Sequence, residues 1–194
     1  MHAISASNPM RACLVRPNAS EPMPARQDRL DESTLPAALR ELLQGFERGE
    51  AMVQLRLGSW PELQALAAPL RTEVFVHEQH IPAEMEWDED DHSALHCVAV
   101  NRMGMALATG RLLQHAPGVA RIGRMAVKKS MRGSDLGAQV LQALMAAARE
   151  RGDRSVLLHA QCSAEGFYKR AGFAPQGPVF EEAGIAHIEM VCAL

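Results

Sequence analysis

The stretch that decides the fold runs from Arg121 to Gly152 and reads RIGRMAVKKSMRGSDLGAQVLQALMAAARERG. It predicts a strand over 122–127, a basic turn over 128–133 and then a long amphipathic helix. The apolar residues of this helix recur at the spacing of one face, which we expect to be buried: Leu136, Val140, Leu141, Leu144, Met145 and Ala148. Gly152 is typical of the residue just beyond a helix end.

The turn before this helix is the first place where the sequence indicates chemistry. A helix N-terminus presents unpaired N–H groups and a positive dipole end, both of which attract anions. Gly133 and Gly137 allow the backbone to approach a ligand closely, and Lys128, Lys129 and Arg132 add positive charge. These residues alone leave two interpretations open, a phosphate-binding turn and a solvated basic turn.

Two segments resemble the GNAT superfamily of acyl-CoA-dependent N-acyltransferases. RGSDLGA (132–138) is similar to the Arg/Gln-x-x-Gly-x-Gly/Ala signature of that family, and AEGFYKRAGF (164–173) is similar to its Ala-x-x-Phe-Tyr-x-x-x-Gly-Phe segment. Asp135 stands where the signature has its first glycine, and we expect it to turn outward and cap the helix. A carboxylate about 6 Å from a phosphate is opposed by roughly 1–3 kcal/mol, which the nearby cations can offset.

Five further segments resemble the ElaA-like branch of the superfamily, in the order that the branch shows. They are VFVHEQHIP (74–82), EWDEDD (86–91), ATGRLL (108–113), IGRMAV (122–127) and EAGIAH (182–187). Several independent motifs in one order are far more specific than a single glycine turn.

The predicted elements form an α/β (α+β) fold. Helices are expected from Ser59 to about Gln79, in the central stretch and over 163–170. Strands are predicted at 52–57, 95–100, 105–113, 119–127, 155–160, 173–180 and 185–192. The expected arrangement is a GNAT-type mixed, mostly antiparallel twisted sheet with helices on both faces.

The N-terminal part is predicted to lie outside this fold. Residues 1–33 are interpreted as a flexible leader, residues 34–50 as one N-terminal helix and residues 51–194 as the N-acyltransferase domain. The helix is expected to pack on the domain or to form a dimer contact, so a homodimer is possible.

Composition excludes several classes of protein. The formal net charge of -3 gives no broad attraction to nucleic acid or to an anionic membrane. The four cysteines lie far apart without a C-x-x-C pair, which indicates neither a zinc site nor a disulfide framework. A reducing cytoplasm is the location that fits best.

The resemblance implies acetyl-CoA as co-substrate, with its pantetheine lying along a strand that splays from its neighbour and leaves a cleft. The implied cofactor-binding residues are Met125, Ala126, Val127, Arg132, Gly133, Ser134, Asp135, Leu136, Gly137 and Ala138. Tyr168 matches the position of the family's general acid, although a tyrosine that packs on Phe167 is the alternative. The candidates for the general base are Glu73, Glu78, His96, Glu182 and His187, and His187 is the first choice because it lies inside a matched motif.

The acidic segment 83–92 has two interpretations, a solvated loop or a rim that attracts a cationic amine beside Trp87. The expected substrate-binding residues are Glu78, Trp87, His96 and Glu182. Arg111 and Arg124 are candidates for binding a substrate carboxylate or for pairing with an acid in the core. No metal is expected, because His77 and His80 lack a recognised ligand spacing, and Cys162 is expected to pack rather than to transfer the acyl group.

The function predicted from all of this is an N-acetyltransferase that moves an acetyl group from acetyl-CoA to a primary amine, of a small molecule or a protein, by direct attack in a ternary complex. One alternative is a relative of the acyl-homoserine-lactone synthases, which we expect to use an acyl carrier protein and to need no pyrophosphate turn. The other is a non-catalytic regulator that binds acyl-CoA.

Overall fold

The computed structural model describes residues 52–194, and the predicted leader and N-terminal helix (1–33 and 34–50) lie outside this range. The strands are β1 (Val53–Gly58), β2 (Leu95–Asn101), β3 (Ala106–Ala116), β4 (Val119–Val127), β5 (Ser155–Gln161), β6 (Ala174–Glu182) and β7 (Ile185–Ala193). The α-helices are α1 (Trp60–Arg71), α2 (Ala83–Glu86), α3 (Asp90–Ser93), α4 (Leu136–Arg151) and α5 (Glu165–Arg170). Short 3₁₀ turns at Lys129–Met131 and Cys162–Ala164 precede α4 and α5.

The seven strands form one sheet in the order β1-β2-β3-β4-β5-β7-β6. All neighbours are antiparallel except β4 and β5, which are parallel because α4 crosses between them. The prediction of a mixed, mostly antiparallel sheet is confirmed.

Helices cover both faces of the sheet, as predicted. On β2, Cys97 and Ala99 join the core beneath α4, whereas Val98 and Val100 pack on α1. This alternation follows from the pleat, which points successive side chains to opposite faces. The predicted apolar face of α4 is buried throughout: Leu136, Val140, Leu141, Leu144, Met145 and Ala148.

The helix that begins after Ser59 changes its winding before it ends. Gln79 N–H donates to the Val74 carbonyl over five residues, and Thr72–Glu78 is π-helical rather than the continuous α-helix that we expected. Pro69 lies just before the change. Because proline lacks an N–H, one α-helical hydrogen bond is missing inside α1, shortly before the winding changes.

The acidic segment 83–92 is mostly exposed, but it is more than a solvated loop because two of its carboxylates are buried. Glu86 and Asp91 are each only 2% exposed, and they pair with the equally buried Arg71. Further ion pairs extend this group into what we call the arginine–carboxylate cluster: Arg71, Arg111, Arg124, Glu86, Asp88 and Asp91. The cluster fastens the segment that contains α2 and α3 to β3 and β4.

The two buried acids of the cluster respond differently to burial. Burial opposes the charge of Asp91, but hydrogen bonds from Arg71 and Arg111 outweigh it, so the pKa of this carboxyl is lowered. Burial dominates at Glu86, and the pKa of Glu86 is raised although Arg71 and Arg124 oppose the shift.

We predict that Asp91→Asn destabilises the fold by about 3–5 kcal/mol at pH 7, because it leaves two buried guanidiniums without their shared carboxylate. Since the folded pKa of Asp91 is lowered, its contribution to stability is present above its ordinary pKa and is lost as the pH falls through the folded value. The difference in free energy of unfolding, measured with urea, therefore shrinks in acid. Glu84→Gln, in the same segment but exposed, is the control, and an equal loss in both variants would contradict the prediction.

Candidate active site

The site is built where β4 and β5 separate. The two strands pair only at Val119 with Ser155, Ala120 with Val156 and Arg121 with Leu157. Beyond Arg121 the β5-facing edge of β4 has no strand partner, so the expected splay is present and leaves a cleft.

A bulge in β4 lies beside this cleft. The register with β3 shifts between Thr109 and Arg111, and Arg124 adopts a left-handed backbone with φ of 50°. A bulge redirects side chains and is common next to active sites. Here the Arg124 guanidinium extends to Glu86 and Asp88 in the arginine–carboxylate cluster.

A cavity of about 190 Å³ occupies the cleft. Its walls come from the π-helical segment, α2, β4, β5, α5 and the turn between β6 and β7. Its ionisable groups include two arginines, two histidines, a tyrosine and an acid at the β6–β7 turn: Arg121, Arg124, His159, His187, Tyr168 and Glu182. Four predicted site residues, Met125, Tyr168, Glu182 and His187, therefore lie at one cavity.

Tyr168 is nearly buried on α5, with 8% of its surface exposed. Its ring packs edge-on against Phe167 and Phe173 at centroid distances of 4.9 and 5.9 Å, so the predicted aromatic packing is present. Within residues 52–194 its hydroxyl has no hydrogen-bond partner. Burial raises the pKa of Tyr168 to about 12, so the hydroxyl keeps its proton at neutral pH.

His187 on β7 is held in one orientation by the backbone. Its Nδ1 lies 2.8 Å from the Ile185 carbonyl oxygen. Because a carbonyl oxygen only accepts, Nδ1 carries the proton and Nε2 of the neutral ring has a free lone pair. This is the tautomer that a general base requires.

Sequence reasoning missed a second histidine in the same cavity. His159 on β5 has Nδ1 3.3 Å from Arg121 Nη2 and 3.2 Å from Glu182 Oε2, and its ring packs edge-on against Phe180. The available signal was a polar residue inside the apolar strand SVLLHAQ.

The proposed phosphate turn has the backbone of a glycine-rich turn despite Asp135. Gly133 has φ of 85° and Asp135 has φ of 67°, and Asp135 stands just before the first residue of α4. Its side chain makes no capping hydrogen bond, so the expected cap is wrong. Aspartate is among the few non-glycine residues that adopt the left-handed region readily, which is why the turn keeps its shape. Gly137 packs closely on β4, since an added Cβ would lie 3.2 Å from Val127.

Two cations of this turn are paired with the π-helical segment. Arg132 donates to both carboxylate oxygens of Glu78 at 2.6 and 2.8 Å, and Lys128 lies 2.7 Å from Glu73. Residues five apart share a face in π-helical winding but not in α-helical winding, so the change after Pro69 aligns both acids with the turn.

Three of the four predicted substrate-binding residues, and Cys162, lie outside the cavity. His96 is buried, with Nε2 2.9 Å from the Asp91 carbonyl oxygen, and Trp87 stacks on the Arg71 guanidinium at 4.7 Å. Glu78 faces Arg132, and Cys162 begins the 3₁₀ turn after β5. In the described part of the chain, no three His, Cys, Asp or Glu side chains are grouped to hold a metal ion.

Comparison with known proteins identifies the family. Residues 58–194 match the family model of the acetyltransferase (GNAT) domain. The chain belongs to the GNAT acetyltransferases. It is therefore an acyltransferase enzyme, as predicted, and the alternative of a non-catalytic regulator is not supported. The N-acetyltransferase YjcF of Bacillus subtilis, which is uncharacterised, is 35% identical over 123 residues that span 63% of this chain and 86% of that protein.

Solved structures agree with this assignment. An acyl-CoA N-acyltransferase from Pseudomonas aeruginosa is 35% identical with a TM-score of 0.65, and Escherichia coli ElaA is 29% identical with a TM-score of 0.66. Each comparison covers 73% of this chain and 99% of the other chain. The similarity to ElaA supports the expected branch. Among residues 52–194, no helix has the length and hydropathy needed to cross a membrane.

A further structure bears on the lactone-synthase alternative. BjaI, a CoA-dependent acyl-homoserine lactone synthase, has a TM-score of 0.60 but only 16% identity, which indicates a shared fold and nothing more. BjaI depends on CoA, so the expectation that such synthases use an acyl carrier protein is wrong for that protein. At this identity the likeness carries no argument for or against the alternative.

We predict that Asp135→Gly keeps or slightly raises the free energy of unfolding, because glycine adopts the left-handed backbone at no steric cost. Asp135→Val is the opposing variant. It should lose about 1–2 kcal/mol, since a β-branched residue is strained at positive φ. Urea denaturation of both variants measures this, and equal stability of the valine variant would show that the turn relaxes to another backbone.

Proposed function

We propose that the enzyme transfers an acetyl group from acetyl-CoA to a primary amine, of a small molecule or a protein, by direct attack in a ternary complex. The observation that carries the proposal is the presence of Tyr168 and His187 at one cavity where β4 leaves β5. The cavity offers one group that can accept a proton and one that can donate it.

The residues at the cleft fit acetyl-CoA. The free edge of β4 at Met125, Ala126 and Val127 has no strand partner on the β5 side, so it suits the amides of pantetheine. The turn would hold the pyrophosphate through the N–H groups of Leu136, Gly137 and Ala138, which lack intrahelical partners at a helix start. The charge of Arg132 and the backbone of Gly133, Ser134 and Asp135 complete the site. Bound acetyl-CoA supplies an activated acyl carbon and a thiolate leaving group.

His187 is proposed as the general base. Its Nε2 has a lone pair because Nδ1 donates to the Ile185 carbonyl. An ammonium cannot attack, so His187 removes a proton and leaves a neutral amine. Glu182 lies at the same cavity and is proposed to attract the ammonium before this step. The other candidate bases are less suited, since Glu73 and Glu78 pair with cations of the turn and His96 lies outside the cavity.

Tyr168 is proposed as the general acid. As the C–N bond forms and the C–S bond breaks, negative charge develops on sulfur, and a protonated hydroxyl without a competing partner can donate to it. Backbone N–H groups at the β4 bulge are proposed to stabilise the oxyanion. From ammonium to amide the nitrogen loses two protons: His187 takes the first, and the second leaves the nitrogen as the C–N bond forms and replaces the proton that Tyr168 gives to sulfur. The proton on His187 is then released to solvent, so one proton is produced in each turnover.

The domain boundaries, a cytoplasmic location and a homodimer stay predictions. The earlier choice of Glu78, Trp87 and His96 as direct substrate ligands is not proposed further, because these residues contact Arg132, Arg71 and Asp91 instead.

We predict that acetyl-CoA binds with micromolar affinity in calorimetric titration and that Arg132→Ala weakens the binding about tenfold, through loss of charge-assisted hydrogen bonds. Arg149→Ala removes a cation from the exposed end of α4 and serves as the control. Equal affinity in wild type and Arg132→Ala would contradict a role of Arg132 in the cofactor site.

We predict that Tyr168→Phe lowers kcat by about 10²–10⁴-fold with the affinity for acetyl-CoA retained, because only proton donation is lost. The rate of free thiol release in the presence of an amine acceptor gives kcat, and titration gives the affinity. Thermal unfolding checks that the packing on Phe167 and Phe173 survives. A variant that keeps its rate would show that the thiolate leaves without help from Tyr168.

A further inference from the structure

Arg121 is a charged group of the cavity that the proposed mechanism does not use. Its Nη2 lies 3.3 Å from His159 Nδ1, and within residues 52–194 no carboxylate forms a salt bridge with it. A guanidinium has five N–H donors, so most of them are open to a ligand in the cavity. The other arginine at the cavity, Arg124, is engaged by Glu86 and Asp88.

The space beside Arg121 is open. Gly123 shares its face of β4, since the two residues are two positions apart, while Ile122 between them faces the core. A Cβ added at Gly123 would have no atom within 4 Å. A ligand can therefore lie over this part of β4 and still reach the cavity that Tyr168 and His187 line.

The Nδ1 atom of His159 lies between the Arg121 guanidinium and the Glu182 carboxylate, and it cannot form a hydrogen bond with both at once. His159 Nδ1 is 3.3 Å from Arg121 Nη2 and 3.2 Å from Glu182 Oε2. If Nδ1 is unprotonated, it accepts from Arg121 and presents a lone pair to the carboxylate; if it is protonated, it donates to Glu182 and repels Arg121. The Glu189 carboxylate lies 3.7 Å from Nε2 and does not remove the conflict. In either state a charged group at the cavity lacks its counterpart.

We propose that the acceptor is an amine that also carries a carboxylate, which Arg121 binds while Glu182 receives the ammonium group. This inference rests on the proposed acetyl transfer in the same cavity. An acceptor with both charges supplies the missing partner to each residue, and arginine binds a carboxylate through paired hydrogen bonds. A polyamine would instead place a second cation beside Arg121, and a lysine side chain of a protein would bring no anion.

The test compares acceptors that differ only in the carboxylate. β-Alanine, 4-aminobutyrate and a panel of L-amino acids are each assayed against their own carboxamides with acetyl-CoA, and free thiol release is measured. Spermidine and a lysine-containing peptide are included as acceptors without the carboxylate. We expect kcat/KM for the best acid to exceed that of its amide by about 10- to 100-fold, as for a charge-assisted pair.

Arg121→Gln should reduce this preference to near one, and Arg121→Lys should restore part of it. Arg149→Gln, a charge change on the exposed end of α4, should keep both the rate and the preference. Wild-type enzyme that uses amides or spermidine as well as acids, or an Arg121→Gln variant that keeps the preference, overturns the inference and leaves acetyl transfer standing. Thiol release with none of these acceptors, despite bound acetyl-CoA, contradicts the proposed function and the inference together.

Discussion

The separation of β4 from β5 after Arg121 and Leu157 is the constraint on which the rest of the site depends. Two neighbouring strands that part leave backbone N–H and C=O groups without partners, and such groups are costly unless something else binds them. The fold tolerates these unpaired groups because β4 and β5 remain hydrogen-bonded on their other edges, to β3 and β7 respectively. The gap is thus a fixed part of the sheet, and side chains from strands, helices and the β6–β7 turn meet in it.

The arginine–carboxylate cluster holds one wall of this gap in place. Burying the charges of Arg71, Arg111, Glu86 and Asp91 is expensive, and a cluster of this kind is weak evidence for stability by itself. Its position is more informative, because Arg124 at the β4 bulge bonds to the carbonyls of Met85 and Glu86 as well as to the acids. The segment before β2 therefore cannot shift without disturbing the strand that we propose to carry the acyl group.

The strand, turn and helix of the central stretch (121–152) were predicted correctly. The signals for them, hydrophobic periodicity and a glycine at the helix end, depend only on residues close together in the sequence. Tyr168 was found because it lies inside a continuous motif. Arg121, His159 and Glu182 come together only through the register of β4, β5, β7 and β6, which no local pattern contains. The burial of Glu86 and Asp91 within the acidic segment was missed for the same reason, because their arginine partners lie far away in the sequence.

Asp135 shows that the glycine of the family signature marks a backbone conformation. The turn requires a residue that tolerates φ of 67°, and an aspartate meets that requirement. A signature written in residue letters scores this position as a mismatch, whereas a signature written in backbone angles scores it as a match. Chains with asparagine or aspartate at this point can therefore keep the architecture of the turn while they change its charge, so that the strength of anion binding can evolve separately from its geometry.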